Sequence, residues 1–202
     1  MKEFWDQRYG AEEYAYGVEP NQFLKEELER IKPGKALFPA EGEGRNAVFA
    51  AKLGWEVSAF DISESGKMKA EKLAGLKGVS LDYQIGTLED MNYEKESFDL
   101  IVLIFAHFPK PIRSLIHAGL LELLKPGGMV ILEGFSKAHL AFSTANPKAG
   151  GPKEISMLFS KEELMEEFSS LHQISLDEIE VYLKEGEFHQ GQSSVIRMIG
   201  QK

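Results

Sequence analysis

Two glycines with acidic neighbours form the most chemically informative stretch of the sequence. In "FPAEGEGRN", Gly42 and Gly44 allow a tight turn, and Glu41 and Glu43 flank them. Asp61 ends the next strand pattern along the chain. A glycine turn that opens a helix presents free N–H groups to a ligand, and a carboxylate after the second strand can accept hydrogen bonds from both hydroxyls of a ribose. Together these features predict a site for a ligand that contains a nucleoside.

The charge of this turn narrows the choice of ligand. "GEGRNA" satisfies the G-x-G-x-x-A pattern of dinucleotide sites, so NAD is a formal alternative. Carboxylates repel a doubly charged pyrophosphate, whereas they attract a sulfonium or an amino-acid ammonium group. We therefore expect an adenosyl amino acid in preference to NAD. A turn without a ligand, in which Asp61 only caps the following helix, is the alternative that needs no function.

Short apolar runs alternate with helical patterns from residue 35 onward, which indicates βαβ units around a mostly parallel sheet. The predicted strands are "KALF", "WEVSAFD", "VSLDYQ", "FDLIVLI" and "MVILE", then two more near residues 179–183 and 194–199. The connection between the last two, "KEGEFHQGQ", is short enough for antiparallel neighbours. The sheet is therefore expected to end in an antiparallel strand.

Start and stop signals place helices between these strands. The predicted helices follow the glycine turn, Ser63, Pro111 and the capping box "SKEE". His117 is expected on an exposed or amphipathic face of the third of these helices, four residues after Arg113. Residues 136–159 are expected to form a long loop with a functional role.

The length of 202 residues suits one well-buried domain. We divide it into an N-terminal helical segment at 1–30 that can act as a lid, a cofactor-binding core at 35–133, and a substrate side at 134–202. The last part contains the loop, a helix and the C-terminal hairpin. Two strands of this hairpin complete a predicted sheet of seven.

Composition limits the partners and the chemistry. Cysteine is absent, which excludes disulfides, thiolate metal sites and a cysteine nucleophile, and no other spacing of side chains predicts a metal site. The net charge of −9 disfavours nucleic acid. No apolar run reaches the length of a membrane span. We expect a cytoplasmic protein that acts on a small molecule, with no nucleic-acid or membrane partner; the oligomeric state is open.

Several motifs resemble those of a known family. "LFPAEGEGRN", "VSAFDIS", "FDLIVLI" and "LKPGGMVILE" resemble the corresponding motifs of class I S-adenosylmethionine-dependent methyltransferases. "FWDQRYG", "YGVEPNQFL", "HFPKPIR" and "EGEFHQGQSSVIR" resemble the tellurite-resistance branch of that family, which modifies small molecules. The resemblance implies a Rossmann-like α/β fold with a seven-stranded, mostly parallel sheet and helices on both faces. It also implies methyl transfer to an acceptor such as a thiol or a chalcogen oxyanion, with S-adenosylhomocysteine as product.

The turn pattern and the resemblance together give the candidate site residues. The cofactor-binding candidates are Arg8, Glu41, Gly42, Gly44, Arg45, Asp61, Ile62, Thr87, Leu88 and Ile104. The catalytic candidates are His107, His189 and Arg197. His107 follows the fourth strand and can also be a loop histidine without a function. Arg8 belongs to the possible lid, in which it is expected to meet the cofactor carboxylate. Arg45 can pair instead with Glu41 or Glu43.

Two positions depart from the family pattern. Phe38, Pro39 and Ala40 stand where the family usually has an aspartate followed by an apolar and a small residue, and Glu41 is the nearest substitute. Thr87 stands where the family tends to have an aspartate, and the backbone N–H group of Leu88 is expected to meet the adenine instead. These departures leave two alternatives open. One is a non-catalytic protein that binds S-adenosylmethionine or another nucleoside, and the other is a nicotinamide-dependent enzyme.

Overall fold

One seven-stranded sheet runs through the structure, a computed structural model that describes residues 1–202. Its strands are β1 (Lys35–Pro39), β2 (Glu56–Asp61), β3 (Asp82–Ile85), β4 (Phe98–Ile104), β5 (Leu124–Phe135), β6 (His172–Glu185) and β7 (His189–Gln201). They lie in the order β3-β2-β1-β4-β5-β7-β6. The first five strands pair in parallel, and β7 is antiparallel to both β5 and β6. The predicted seven-stranded, mostly parallel sheet with an antiparallel C-terminal strand is confirmed.

Seven helices accompany the sheet. They are α1 (Lys2–Tyr9), α2 (Gln22–Leu28), α3 (Arg45–Lys52), α4 (Glu64–Lys77), α5 (Lys110–Leu123), α6 (His139–Ala145) and α7 (Lys161–Glu167). Asn21, Ser63 and Ser160 cap the N-termini of α2, α4 and α7 with their side chains. These caps satisfy N–H groups that the first helical turn leaves free, which explains why the helices begin there.

Helices cover both faces because the central strands are apolar on both sides. Along β4, Leu100 and Val102 pack with α2, α3 and α4, whereas Ile101 and Leu103 pack with α5 and α7. Successive side chains of a strand point to opposite faces, so an unbroken apolar run requires cover on each. The predicted α/β arrangement of layers is confirmed.

The C-terminal third differs from the expected arrangement. Residues 136–159 are not a plain loop, because they contain α6 and two short 3-10 turns at Pro147–Ala149 and Ile155–Met157. The final hairpin is also longer than predicted, since only residues 186–188 separate β6 from β7. Helix α6 has seven residues, too few to give a helical period, and β6 is polar along most of its length.

His117 is buried, so of its predicted positions, an exposed or an amphipathic face of the helix, the exposed one is wrong. Its Nδ1 atom lies 2.7 Å from Oε2 of Glu167 on α7. The fully buried Arg113 also binds Glu167, as well as Glu163. The charge of Arg113 can be buried because α7 brings two carboxylates to it, and a buried charge requires such partners. The helical spacing of Arg113 and His117 alone could not reveal α7.

Candidate cofactor and acceptor site

The turn between β1 and α3 has a backbone that only glycine adopts easily. Gly42 and Gly44 have φ values of 61° and 83°. A Cβ atom on Gly44 would lie 2.5 Å from Cβ of Ala70 on α4, so a side chain has no room there. Ala40 also has a positive φ, 52°, although it is not glycine. Such strained positions cluster at functional sites, and here the strain lies at the carboxyl end of the first strand.

Glu41 caps the helix that follows this turn. Its Oε1 atom accepts hydrogen bonds from the backbone N–H groups of Asn46, at 2.9 Å, and Ala47, at 2.8 Å. Burial raises the pKa of this carboxyl to about 7, although the two N–H groups and the nearby Arg45 act in the opposite direction. The carboxylate of Glu41 therefore occupies the N-terminus of α3, where a glycine turn would otherwise bind an anionic ligand.

Glu43 turns away from the ligand side of the turn. One of its oxygens accepts the N–H group of Ala15 at 2.8 Å, and the other lies 2.8 Å from Nζ of Lys69. The side chain is 3% exposed. Since Lys69 compensates its charge, the repulsion of a pyrophosphate expected from two glutamates is supplied by Glu41 and not by Glu43.

Asp61 lies at the end of β2 and faces the glycine turn. Its Oδ2 atom accepts the N–H group of Gly42 at 3.0 Å, and its Oδ1 atom accepts that of Ser63 at 2.9 Å. Burial raises the pKa of Asp61 to about 6. A carboxylate offers about four acceptor positions, so two remain for the hydroxyls of a ribose. The position agrees with the expected role, which stays a prediction.

The remaining cofactor candidates lie along the same edge of the sheet. Ile62 follows Asp61, and Ile104 is the last residue of β4. Thr87 donates its N–H and hydroxyl groups to Asp90 and caps a 3-10 turn, Leu88–Asp90. Leu88 is the first residue of that turn, where the helix itself provides no acceptor for the N–H group. Thr87 therefore has a structural role as a cap of this turn. The N–H group of Leu88 remains free to meet an adenine, as expected.

Residues 1–20 of the N-terminal segment cover the cofactor side. The ring of Tyr9 lies over the glycine turn, since a Cβ atom on Gly42 would be 2.5 Å from its hydroxyl oxygen. Tyr9 is buried and stacks on Trp5 at 5.3 Å. Asp6 accepts the hydroxyl hydrogen of Ser63 at 2.7 Å. A ligand reaches Gly42 only if this segment moves.

The same segment also covers the surroundings of His189, which we call the acceptor side. Arg8 donates to the hydroxyl of Tyr16 at 2.9 Å and lies 4.3 Å from the ring centroid of Phe188. The ring of Tyr16 lies 4.4 Å from that of His189. Arg8, expected to meet the cofactor carboxylate, here joins the N-terminal segment to the β6–β7 hairpin. A cleft at this junction has a volume of about 180 Å³, below the ~300 Å³ of a typical small-molecule pocket.

His107 binds backbone groups through both ring nitrogens. Nδ1 lies 2.9 Å from the carbonyl oxygen of Met157, and Nε2 lies 3.1 Å from the backbone nitrogen of Phe135. Nδ1–H therefore donates and Nε2 accepts. Burial lowers the pKa of His107 to about 3. This arrangement leaves no ring nitrogen for a substrate, so a catalytic role, which stays a prediction, would require one of these bonds to break.

We predict that His107 makes the protein sensitive to acid. Below pH 6.5 the unfolded chain protonates this ring, whereas the folded protein does so only near pH 3, so stability is lost as the pH falls through this range. In His107→Gln, the slope of unfolding free energy against pH between 6 and 4 should fall by about 1.4 kcal/mol per pH unit. Urea denaturation at several pH values measures it. An unchanged slope would contradict the prediction, and the exposed His172→Gln is the control.

His189 is the first residue of β7 and lies among aromatic rings. Ring centroids of Phe105 and Phe135 lie 4.5 Å and 5.1 Å from its own. Its Nδ1 atom lies 3.0 Å from Oε2 of Glu185. Burial lowers the pKa of His189, and Glu185 acts against this effect. Phe105 follows β4 with a φ of 52°, a second strained position at the carboxyl edge of the sheet.

A buried polar network connects the two sides of the site. Arg45 does not pair with Glu41 or Glu43, because its Nη2 atom lies 2.8 Å from Oε2 of Glu185. The amide group of Asn21 donates to Glu185 at 3.3 Å and to Glu133 at 2.6 Å. The alternative partners expected for Arg45 are therefore wrong.

Arg197 lies in this network and not beside His189. Its Nε atom donates to Oε2 of Glu133, and its guanidinium carbon lies 4.8 Å from the ring centroid of Phe23 on α2. The structure thus connects Arg197 to His189 only through Glu133, Asn21 and Glu185. Its assignment as a catalytic residue stays a prediction.

Two further features can be stated for the whole chain. No group of histidine, aspartate and glutamate side chains has an arrangement that could hold a metal ion. None of the helices combines the length and the apolar character that crossing a membrane requires.

Comparison with known proteins identifies the core of this chain. Residues 39–128, a little under half of the chain, match the family model described as "Methyltransferase domain". This range includes the glycine turn, Asp61 and the fourth strand. This part of the chain is therefore similar to a methyltransferase domain. The strand order, the glycine turn and the carboxylate after β2 agree with the fold that the resemblance to class I methyltransferases implies.

Individual relatives are more distant. The Ubiquinone biosynthesis O-methyltransferase of Xanthomonas axonopodis pv. citri is 32% identical over 122 residues, which are 57% of this chain and 50% of the relative. The chain thus spans about half the length of the curated relatives it matches. A solved structure described as the conversion of a disulfide bond into a thioacetal group during echinomycin biosynthesis has a TM-score of 0.74 at 18% identity, covering 100% of this chain and 90% of the other.

TehB from Haemophilus influenzae has a TM-score of 0.69 at 16% identity, over 100% of this chain and 66% of TehB. At this identity the similarity shows a shared Rossmann-like methyltransferase fold and nothing finer. Membership of the tellurite-resistance branch and a cytoplasmic location stay predictions.

Proposed function

We propose that this protein transfers a methyl group from S-adenosylmethionine to a small-molecule acceptor and releases S-adenosylhomocysteine. The observation that carries the proposal is the approach of Asp61 to Gly42, 3.0 Å between carboxylate oxygen and backbone nitrogen, at the carboxyl edge of β1 and β2. These are the two places that the ribose and the amino-acid part of such a cofactor need. Both lie within the residues that match a methyltransferase domain.

The residues present fit this cofactor with one change of role. Phe38 is fully buried in the core between the sheet and α3, so the position of the usual family aspartate cannot contact a ligand. Glu41 supplies a carboxylate in the turn and binds the start of α3. A carboxylate there favours a cationic ligand over a phosphate, which supports an amino-acid ammonium or a sulfonium.

In this proposal the protein acts mainly by positioning. S-adenosylmethionine supplies a methyl group on a positively charged sulfur, which a nucleophile displaces in line. Asp61 would hold the ribose hydroxyls, and the N–H group of Leu88 would meet the adenine. Tyr9 and Tyr16 would close over the bound molecules and exclude water. The N-terminal segment is thus proposed as a lid, in agreement with the sequence.

The class of acceptor is a proposal at a finer level. The name of the relative from Xanthomonas axonopodis pv. citri describes O-methylation in ubiquinone biosynthesis. The resemblance to the tellurite-resistance branch suggests a chalcogen oxyanion or a thiol instead. An oxyanion or a thiolate requires no base, whereas a neutral hydroxyl does. The acceptor side is lined by Phe105, Phe135 and Tyr16, which suits an aromatic or apolar molecule.

A non-catalytic binding protein is the second candidate. The burial of Phe38 and the position of Tyr9 over Gly42 favour it, because both reduce the polar surface available to the cofactor. Such a protein would bind S-adenosylmethionine without turnover.

Two measurements test the proposal. Calorimetry with S-adenosylhomocysteine should give micromolar affinity, whereas NADH should not bind. Incubation with S-adenosylmethionine that carries a labelled methyl group should then transfer the label to at least one member of a panel of hydroxyl, thiol and chalcogen-oxyanion acceptors. Binding without transfer to any acceptor would favour the second candidate. Absence of binding at millimolar ligand would refute the proposed function.

A further inference from the structure

Glu185 and His189 face each other across the turn of the β6–β7 hairpin. Oε2 of Glu185 lies 3.0 Å from Nδ1 of His189, and the two side chains are 13% and 5% exposed. A carboxylate that accepts a hydrogen bond from Nδ1–H holds the imidazole in the tautomer whose Nε2 carries no proton. Nε2 makes no hydrogen bond within the chain. This nitrogen is therefore able to accept a proton from a ligand.

His107 and His139, the other two histidines of the acceptor side, have no ring nitrogen free to accept a proton. His107 binds the backbone of Met157 and Phe135, as described above. His139 lies 3.2 Å through Nε2 from the carbonyl oxygen of Gly150, and its Nδ1 atom accepts the N–H group of Ser194 at 3.3 Å. Among the three rings, His189 alone has a nitrogen that is not used to hold the backbone.

Three aromatic rings surround the imidazole of His189. Tyr16, Phe105 and Phe135 place their ring centroids 4.4 Å, 4.5 Å and 5.1 Å from its centroid. Several titratable or charged groups also face this ring from the surrounding elements. They are Glu185 on β6, Arg45 on α3, Arg8 on α1, Tyr16 after α1, His107 after β4 and His139 on α6.

We propose that His189 is the general base of this enzyme, that Glu185 is its positioning residue, and that the acceptor is a hydroxyl group on an aromatic ring. The inference rests on the proposed methyl transfer. The aromatic walls fit a planar acceptor, and the free Nε2 fits an acceptor that arrives with its proton. Burial lowers the pKa of His189, which keeps the ring neutral at pH 7 and supports a role as base.

The proposed step balances as follows. Nε2 of His189 takes the hydroxyl proton while the acceptor oxygen forms its bond to the methyl carbon. The bond between that carbon and sulfur breaks, its electron pair stays on sulfur, and the product is the neutral thioether. The proton then passes from the imidazolium to water. Glu185 stabilises the imidazolium and remains ionised, because Arg45 shares the same oxygen at 2.8 Å.

The ion pair of Arg45 and Glu185 connects the cofactor side of the site with the acceptor side. Arg45 is the first residue of α3, directly after the glycine turn, and its pairing with Glu185 ties the base to the cofactor side. The N-terminal segment covers both halves, with Tyr9 over Gly42 and Tyr16 beside His189. A displacement of this segment would therefore open both sides of the site together.

Two acceptors and two variants test the inference. Catechol requires deprotonation, whereas thiophenol is largely ionised at neutral pH and does not. With catechol, His189→Gln should lower kcat by about 100-fold or more, the usual contribution of a general base, and Glu185→Gln by at least about tenfold. With thiophenol, both variants should retain kcat within about threefold. His172→Gln, an exposed position at the start of β6, is the control.

A second measurement does not depend on turnover. Nitrogen-15 NMR of the imidazoles should show His189 in the form protonated on Nδ1, with its signals identified by their loss in His189→Gln. Glu185→Gln should shift this ring towards a mixture of tautomers. A wild-type ring protonated on Nε2 would overturn the pairing.

The outcomes separate the inference from the proposed function. Equal losses with both acceptors would mean a purely structural role for the pair and would overturn the inference. The inference is also overturned if S-adenosylhomocysteine binds but the wild-type protein methylates an oxyanion and not catechol. Failure of S-adenosylhomocysteine to bind would instead refute the proposed function itself.

Discussion

Asp61→Asn is expected to weaken the binding of S-adenosylhomocysteine by about 100-fold. The substitution keeps the size of the side chain but replaces a charged acceptor by an amide, so it weakens the hydrogen bonds to the ribose hydroxyls. A hydrogen bond to a charged group contributes about 1.5–3 kcal/mol, and about 2.7 kcal/mol corresponds to a factor of 100 in affinity. Calorimetry at pH 7.5 measures the change, and circular dichroism shows whether the variant remains folded.

Asp82→Asn is the matched control, because Asp82 is an exposed carboxylate at the start of the neighbouring strand β3. Its affinity should equal that of the wild type. The pH dependence provides a second comparison. Burial raises the pKa of Asp61 to about 6, so wild-type affinity should decrease below pH 6, as Asp61 becomes protonated and loses acceptor strength. Unchanged affinity in Asp61→Asn would remove Asp61 from the ribose site.

The parts of the fold that follow from local pattern could be read from the sequence. The apolar run of β4, the glycines of the turn and the caps at Ser63 and Ser160 all act within a few residues. Strand order then follows from how βαβ units connect. Helix α6 could not be read in this way, because seven residues without a clear apolar stripe carry too little signal.

The contacts that define the site join residues far apart in the chain. Tyr9 over Gly42, and Glu185 beside both Arg45 and His189, depend on how the N-terminal segment and the hairpin fold over the sheet edge. No spacing in the sequence encodes such contacts, so Glu185 is not among the candidates from the sequence. Tyr9 belongs to the segment that the sequence predicts as a lid, but its contact with Gly42 could not be predicted. Glu41 is different. A glutamate shortly before a helix is a known cap, so its bonds to Asn46 and Ala47 were within reach of sequence reasoning.

These contacts also change how the acidic turn is understood. From the sequence, Glu41 and Glu43 form one patch of negative charge. In the structure they serve different neighbours, because Glu41 binds the start of α3 and Glu43 holds Ala15 and Lys69. The turn is thus acidic on the side of Glu41, while Glu43 fixes the segment that covers the site. Under the proposed function, selection of the ligand and closure over it therefore depend on two different residues.

Gly44→Ala is expected to lower the free energy of unfolding by about 2–5 kcal/mol. Gly44 has a φ of 83°, and its Cβ atom would lie 2.5 Å from Cβ and 2.8 Å from Cα of Ala70. The left-handed backbone costs an alanine about 1–2 kcal/mol, and the clash with a helix backbone adds about 1–3 kcal/mol because α4 must move. Urea denaturation at 25 °C, followed by circular dichroism, measures the loss.

Substitutions of two other glycines separate the cost of backbone strain from the cost of the steric clash. Gly54 has a φ of 94° but open space around its Cβ position, so Gly54→Ala should cost only the backbone term, about 1–2 kcal/mol. Gly75 lies within α4 with open space, and Gly75→Ala should stabilise the protein by about 0.5–1 kcal/mol. If Gly44→Ala costs no more than Gly54→Ala, the contact between the turn and α4 is not tight. A larger cost for Gly44→Ala means that α4 fixes the glycine turn, and with it the position of Gly42 opposite Asp61.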